Sequence, residues 1–419
     1  MRYEGALERL RGKGLNVSME RFLSEFHRLS RVGWVEGYGM DRLALTPSHV
    51  AVRRELVERL KMLGATVKLD EAGNIIAELG GGEGAVAVGS HLDSVPGGGR
   101  FDGAYGVIAG FEALRVFKES NVRLKHKLML IDFNNEEGSR WSPPLLGSAL
   151  SCGIYTRDFV YSRRDRDGVT FEEALKNTGF LGDPENNLST NPPKFYVELH
   201  VEQGPELYRE GYHIGIPQGI VGLKVVELTF KGSQDHASSP QSIRRDALTG
   251  LTHIKSKLEE YVAEREDKLR TTIGRVNVSP NVFNIVPGEV KFTVDIRSYD
   301  PKTIDEALKY IVDEGESIAK KRNLEFNYEN LWYIDRVLFD KEVVETIEES
   351  CTELGFKCKK TWSWAGHDAQ NMAKITRTGM IFIPSVNGKS HSKEEYSRDE
   401  DLARGLLVLL NTILALDKI

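Results

Sequence analysis

The chain has 419 residues, of which 40% are hydrophobic and 28% charged. That length exceeds one compact core, so two or three domains are expected, and the composition excludes disorder, a collagen-like repeat and a disulfide scaffold. Lys and Arg number 56 against 62 Asp and Glu, a net charge of -6, without the basic excess of a duplex nucleic-acid binder.

The N-terminal MRYEGALERLRGKG has no apolar run of the secretory type, so a cytoplasmic protein is expected. Helical periodicity appears at Ser18–Leu29 and at His49–Leu63, where Val50, Leu56, Leu60 and Leu63 share a face. Gly73-Asn74 introduces a strand over Ile75–Leu79, and Gly80-Gly81-Gly82 is expected to turn it into a hairpin with Ala85–Gly89. A helix fits Gly106–Phe117 and a buried strand Lys127–Phe133, so this third reads as α/β, with a mostly parallel central sheet flanked by helices. Loop composition from Phe180 to Pro193 gives way to a strand at Phe195–Val201.

After Gly219 the pattern changes. Leu223–Phe230 alternates as a half-buried strand, Ser242–Arg265 reads as one long amphipathic helix, Thr271–Val278 and Val290–Arg297 as strands, and Ile304–Lys320 as a helix. From about Ile334 the tail returns to α/β patterning; its densest apolar stretch, Leu406–Leu416, is broken by Asn411 and Thr412 and falls short of a membrane span. The expected organisation is a catalytic domain over residues 1–219 and 334–419, interrupted by a smaller α+β lid (dimerisation) domain over residues 220–333.

Four segments carry chemistry. The apolar run Ala85–Gly89 leads to His91 and Asp93, followed by a glycine-rich turn that presents Asp102. Lys127–Phe133 leads to Glu136 and Glu137; on a regular strand adjacent glutamates face opposite sides, so one element can supply a metal ligand and a separate base. His200 ends a third strand, and His391 follows the apolar Met380–Pro384 segment. Each alone reads as a structural histidine or an acidic loop. Together they can bind two divalent ions if one carboxylate bridges, although spacing does not assign which side chains share an ion. Imidazole and carboxylate donors suit zinc, manganese, cobalt or nickel, and two such ions can acidify a water and polarise a carbonyl. Cys152, Cys351 and Cys358 show no metal-knot spacing, and Cys152 reads as a small buried residue.

The motifs GSHLDSVPGGGRFDGAYGV, FNNEEGSRW, HVEQGP, GSQDHASSP, NIVPGEVKFTVDIR, WAGHDA and SHSKEEYS resemble those of the N-carbamoyl-L-amino-acid hydrolases, β-ureidopropionases and allantoate amidohydrolases. These form a branch of the aminoacylase and carboxypeptidase G-like metallopeptidase superfamily. The resemblance implies His91 and His200 on one metal, Glu137 and His391 on the other, and Asp102 bridging both. It makes Glu136 the general base and Asp93 the orienting carboxylate behind His91. It gives Arg297 and Asn284 to the substrate carboxylate and Gln203 to the ureido group, with Gly366 and His367 bordering the carboxylate pocket. It also implies a homodimer paired through the lid, in which His236 reaches the partner's active site and stabilises the oxyanion. The implied reaction is hydrolysis of the ureido C–N bond of an N-carbamoyl-L-amino acid by a metal-bridging hydroxide, with allantoate or β-ureidopropionate as the alternative substrate; an N-acyl-amino-acid deacylase or aminopeptidase would use the same metals. Three departures concern the pocket: Ser238 and Gln241 replace a usual Gly and Met, and Trp364 stands where a Gly is frequent.

Overall fold

Every residue of the strand Ala85–His91 is buried in the computed structural model, which describes residues 3–120 and 122–419. Such a strand needs partners on both edges and cover on both faces. Lys127–Phe133 pairs parallel with one edge and Phe195–Val201 parallel with the other, and Arg377–Ile383 adds a further parallel strand beside Phe195–Val201. Outside this centre the pairing turns antiparallel: Ile75–Leu79 lies against Lys127–Phe133, Thr66–Leu69 against Ile75–Leu79, and Ile214–Ile220 against Arg377–Ile383. The nine-stranded sheet is therefore mixed, with a parallel centre.

One local expectation fails. Ile75–Leu79 and Ala85–Gly89 do not form a hairpin, because Lys127–Phe133 lies between them and pairs with both. The Gly80–Gly84 run reverses the chain direction, but the Lys127–Phe133 strand, buried from Leu128 to Phe133, takes the central place.

The chain divides into two compact units, Met1–Gln218 with Leu338–Ile419, and Gly219–Val337. In the larger unit, helices Ala104–Ser120 and Asp399–Leu416 are buried along most of their length. Gly106 and Gly110 allow the first of these to lie on the sheet, since a Cβ at either position would overlap Leu199, Ser90 or Leu130. The parallel strands consequently deliver His91, the residues after Phe133, and His200 at their carboxyl ends, where open α/β sheets build sites.

The smaller unit is a four-stranded antiparallel sheet in the order Arg270–Ser279, Glu289–Ser298, Gly222–Lys231, Glu325–Ile334. Burial alternates strictly along Glu289–Ser298, and Val290, Phe292 and Val294 stand opposite Phe230, Leu228 and Val226. This apolar face packs with Ile254 and Leu258 of helix Leu248–Ala263, and with Ile304, Ala307 and Ile311 of helix Pro301–Arg322. The Ser242–Arg265 expectation is too long at its start. Arg244 is extended, the Arg245 carbonyl accepts the Ser233 N–H at 3.0 Å, and Asp246 Oδ1 accepts the Leu248 N–H at 3.0 Å, so the helix begins at Leu248. Among the described residues no helix is long and apolar enough to cross a membrane.

Candidate metal centre

Asp102 ends the glycine-rich turn one residue before a left-handed Gly103, whose missing Cβ leaves room for the His91 ring. Its two oxygens face different partners. Oδ1 lies 3.1 Å from His200 Nε2 and 3.4 Å from His91 Nε2; Oδ2 lies 3.4 Å from His391 Nε2. Glu137 Oε2 is 3.3 Å from the same His391 nitrogen. The structure thus brings His91, Asp102, His200, Glu137 and His391 into one cluster, with His91–Asp102–His200 and Asp102–Glu137–His391 as two groups able to hold a metal ion.

The donor chemistry fits a cation. His91 Nδ1 donates to the Asp93 carbonyl at 3.0 Å, and His200 Nδ1 to the Val201 carbonyl at 2.9 Å. These bonds fix each tautomer and leave Nε2 with a lone pair facing a carboxylate oxygen; at His200 that nitrogen also accepts the Gly103 N–H at 3.2 Å. Two acceptors face each other unless a proton or a metal lies between them. Glu137 Oε1 is also buried without a protein partner among the described residues.

The electrostatics agree. Burial opposes a charged imidazole at His200, but the Asp102 carboxylate outweighs it and raises the pKa; at His91, Glu136 and Asp102 overcome burial in the same way. Burial pushes Glu137 up to about 8, with Asp102 adding repulsion. Glu136 is driven well above the usual carboxylate range, first by burial and then by Glu137.

The two glutamates do not sit on a regular strand, as expected, but in a loop beyond Phe133. Asn135 is left-handed and its side chain donates to the Trp141 carbonyl at 2.9 Å; the Asn134 side chain donates to the Ala72 carbonyl at 3.0 Å. With the loop pinned this way, Glu137 turns to His391, and Glu136 Oε2 lies 3.6 Å from His91 Nε2. Asp93 lies on the Nδ1 side of His91. Its carboxylate is 3.7 Å from His91 Nδ1 and accepts the backbone N–H groups of Glu136 and Glu137, while its carbonyl holds the imidazole.

Gln203 joins the cluster, its Nε2 donating to Asp102 Oδ2 at 2.7 Å. The His367 ring is centred 4.5 Å from that of His200, and both its nitrogens are buried without a protein partner among the described residues. Gly366 adjoins it and is exposed, and Trp364 is half-buried. Cys152 is buried, as its setting implies. His236, Asn284 and Arg297 belong to the smaller unit. There His236 pairs with Ile285, and the Ala237 N–H donates to the Asn284 carbonyl at 3.0 Å, so these two stand together. His236 Nδ1 accepts the Ser238 N–H at 3.2 Å and lies 2.7 Å from its hydroxyl, which leaves the proton on Nε2. Arg297 pairs with Asp295 through Nε and Nη2 at 2.9 and 3.1 Å.

Sequence reasoning missed Glu395 and Glu198. Buried Glu395 accepts the N–H groups of Phe101 and Asp102; buried Glu198 accepts the Ser90 hydroxyl at 2.9 Å and the Ala369 N–H at 2.8 Å. For Glu198, a carboxylate inside an otherwise apolar strand was the available signal.

The sequence model for peptidase family M20/M25/M40 matches residues 87–415. The chain is 34% identical over 410 residues to the N-carbamoyl-L-amino-acid amidohydrolase of Paenarthrobacter aurescens, with 95% of this chain and 98% of that one covered. It is 35% identical over 403 residues to the N-carbamoyl-L-amino acid amidohydrolase of Geobacillus stearothermophilus, with 95% and 98% covered. Among solved structures, a hydantoinase/carbamoylase family amidase from Burkholderia multivorans matches with a TM-score of 0.90 at 34% identity, covering 95% of this chain and 98% of that one.

Proposed function

The chain belongs to peptidase family M20/M25/M40, and on that premise we propose that it is a metal-dependent amidohydrolase that cleaves the ureido C–N bond of an N-carbamoyl-L-amino acid. The products are the free amino acid, ammonia and carbon dioxide. The observation that carries the reading is the Asp102 carboxylate, whose two oxygens face two separate sets of donors, in a chain whose relatives are named for this reaction.

In this reading His91, His200 and Asp102 would hold one divalent ion, and Glu137, His391 and the same Asp102 a second; zinc, manganese, cobalt and nickel would all suit these donors. Such ions, when bound, acidify a water and polarise the carbamoyl carbonyl. Glu136, 3.6 Å from His91 Nε2, is given no ligand task in this reading. It takes the proton of the attacking water and passes it to the leaving nitrogen, and its raised affinity for protons suits both transfers. Gln203 contacts the ureido group, Asn284 and Arg297 hold the substrate carboxylate, and Gly366 and His367 border its pocket. The partner subunit's His236 donates from Nε2 to the developing oxyanion, a contribution of roughly 3 kcal/mol. A homodimer paired through the smaller unit belongs to the same proposal. Exposed apolar side chains there, Phe283, Ile243 and Trp332, support it.

The test is an assay of chelator-stripped protein reloaded with one metal at a time, across N-carbamoyl-L-amino acids, allantoate, β-ureidopropionate, N-acetyl-amino acids and dipeptides. Metal-dependent, equimolar release of ammonia and amino acid from the N-carbamoyl substrates is expected. Turnover confined to N-acetyl or dipeptide substrates would overturn the ureido assignment.

A further inference from the structure

Glu395 lies outside both candidate ligand groups yet reaches each of them. Its Oε1 accepts the backbone N–H of Phe101 at 2.9 Å and of Asp102 at 3.0 Å. Its Oε2 accepts the hydroxyl of Ser390 at 2.9 Å, and that hydroxyl oxygen is also 3.3 Å from Asp102 Oδ2. Ser390 directly precedes His391, which holds a left-handed backbone conformation. The approach is close enough that a Cβ at Gly99 would overlap the Glu395 side chain, so the glycine-rich turn is shaped around this carboxylate.

The Asp102 loop is tied to the first turn of helix Ala104–Ser120, where the Tyr105 N–H donates to the Phe101 carbonyl at 3.0 Å, but no regular element joins it to the His391 loop. Asp102 stands between turn glycines, and His391 lies in an irregular segment after the Arg377–Ile383 strand. A carboxylate that accepts two amides from one loop and a hydroxyl from the other supplies three charge-assisted bonds across the gap. We propose that Glu395 is a positioning residue of the metal centre: it clamps the loop of Asp102 to the loop of His391 and so sets the spacing between the two ion positions. The proposal rests on the reading of Asp102 as a shared ligand. A role in fold stability alone would lower the melting temperature without changing ion affinity in the folded chain.

The 419-residue chain, stripped by chelation, is titrated with manganese by calorimetry and by electron paramagnetic resonance, with circular dichroism recording the fold. Wild type is expected to take up two ions. Glu395→Ala is expected to bind them about 10–100-fold more weakly while remaining folded. Glu395→Gln is expected to stay within a few-fold of wild type, because its amide oxygen still accepts both N–H groups and its NH2 donates to Ser390. Unchanged uptake by Glu395→Ala overturns the clamp and leaves the metal reading intact; a wild-type chain that binds no ion overturns both. A glutamine variant as weak as the alanine one also overturns the clamp, since charge rather than placement would then be responsible. Should Glu395→Ala fail to fold, Ser390→Ala decides: weakened binding of one of the two ions supports the clamp, and unchanged uptake overturns it.

Discussion

The carboxylate of Asp93 accepts the backbone N–H of Glu136 at 3.1 Å, and its second oxygen accepts that of Glu137 at 3.2 Å. One buried side chain thus orients the proposed base and a proposed metal ligand, while its own carbonyl holds His91. Asp93→Ala removes both amide acceptors but keeps the carbonyl. It is expected to lower metal affinity and turnover by about 10–100-fold each. Asp93→Asn, which replaces one of the two accepting oxygens with an NH2 donor, should fall between. Calorimetric metal titration alongside steady-state kinetics checks this, and unchanged metal affinity in the alanine variant would contradict the orienting role.

Glu136 and Glu137 separate by function, and substitution should separate them by measurement. Glu136→Gln keeps volume and hydrogen bonding but cannot take a proton, so kcat should fall by about 10²–10⁴ with metal content at the wild-type level. Glu137→Gln should lose bound metal first and activity as a consequence. Metal analysis of the same preparations used for kinetics distinguishes the two. A Glu136→Gln enzyme with wild-type turnover would remove the base assignment.

The ion-free chain should respond to pH through His391. Its hydrogen bond to Asp102, aided by Glu137 and opposed by burial, raises its pKa to about 9, against about 6.5 in an unfolded chain. The folded state therefore keeps a proton that the unfolded state releases first. The stabilisation is fully present below about 6.5 and is lost as the pH rises through about 9. A metal ion competes for the same lone pair, so metal affinity should rise over that window and level off above it. Thermal unfolding in chelator, and metal titration at several pH values, should move in opposite directions. A flat metal affinity between those limits would show that His391 does not ligate.

Arg297 and Asp295 present a preformed fork on alternate positions of one strand. If Arg297 grips the substrate carboxylate, Arg297→Ala loses charge-assisted bonds of about 1.5–3 kcal/mol. KM should rise by about 10–100-fold, with bound metal unchanged. Substrates whose carboxylate is amidated should lose this sensitivity. Equal KM values for variant and wild type would remove Arg297 from the substrate site.

The parts legible in the sequence were those set by burial and periodicity. The runs ending at His91, Phe133 and His200 are apolar without alternation, which marks strands covered on both faces and places their ends at a site. Partner choice was not legible. Gly80–Gly84 announces a reversal, but which strand occupies the place beside Ala85–His91 depends on burying Lys127–Phe133, a decision made by the whole sheet. The hydrogen bonds of Asp93, its carbonyl to His91 and its carboxylate to the N–H groups of Glu136 and Glu137, were not legible because local backbone geometry sets them. Glu395 was hidden for a different reason. It sits in the Glu394-Glu395 pair of a polar tail loop, and its partners Phe101 and Asp102 lie nearly three hundred residues away.

Gly103 offers the sharpest test of whether the cluster is a metal centre or only a set of buried ion pairs. Its backbone is left-handed, and an added Cβ would fall on the His91 imidazole. Gly103→Ala therefore carries about 1–2 kcal/mol of backbone strain and an overpacking cost of about 1–3 kcal/mol. The ring can relieve the clash only by turning away from Asp102. In a metal centre that rotation removes a ligand, so the variant should bind one ion far more weakly, and adding metal should raise its melting temperature less than it does for wild type. If the side chains were only ion-paired, the variant would be destabilised equally with and without metal. Gly81→Ala is the matched control, because a Cβ there meets nothing within 4 Å; its metal-dependent shift in melting temperature should equal that of wild type.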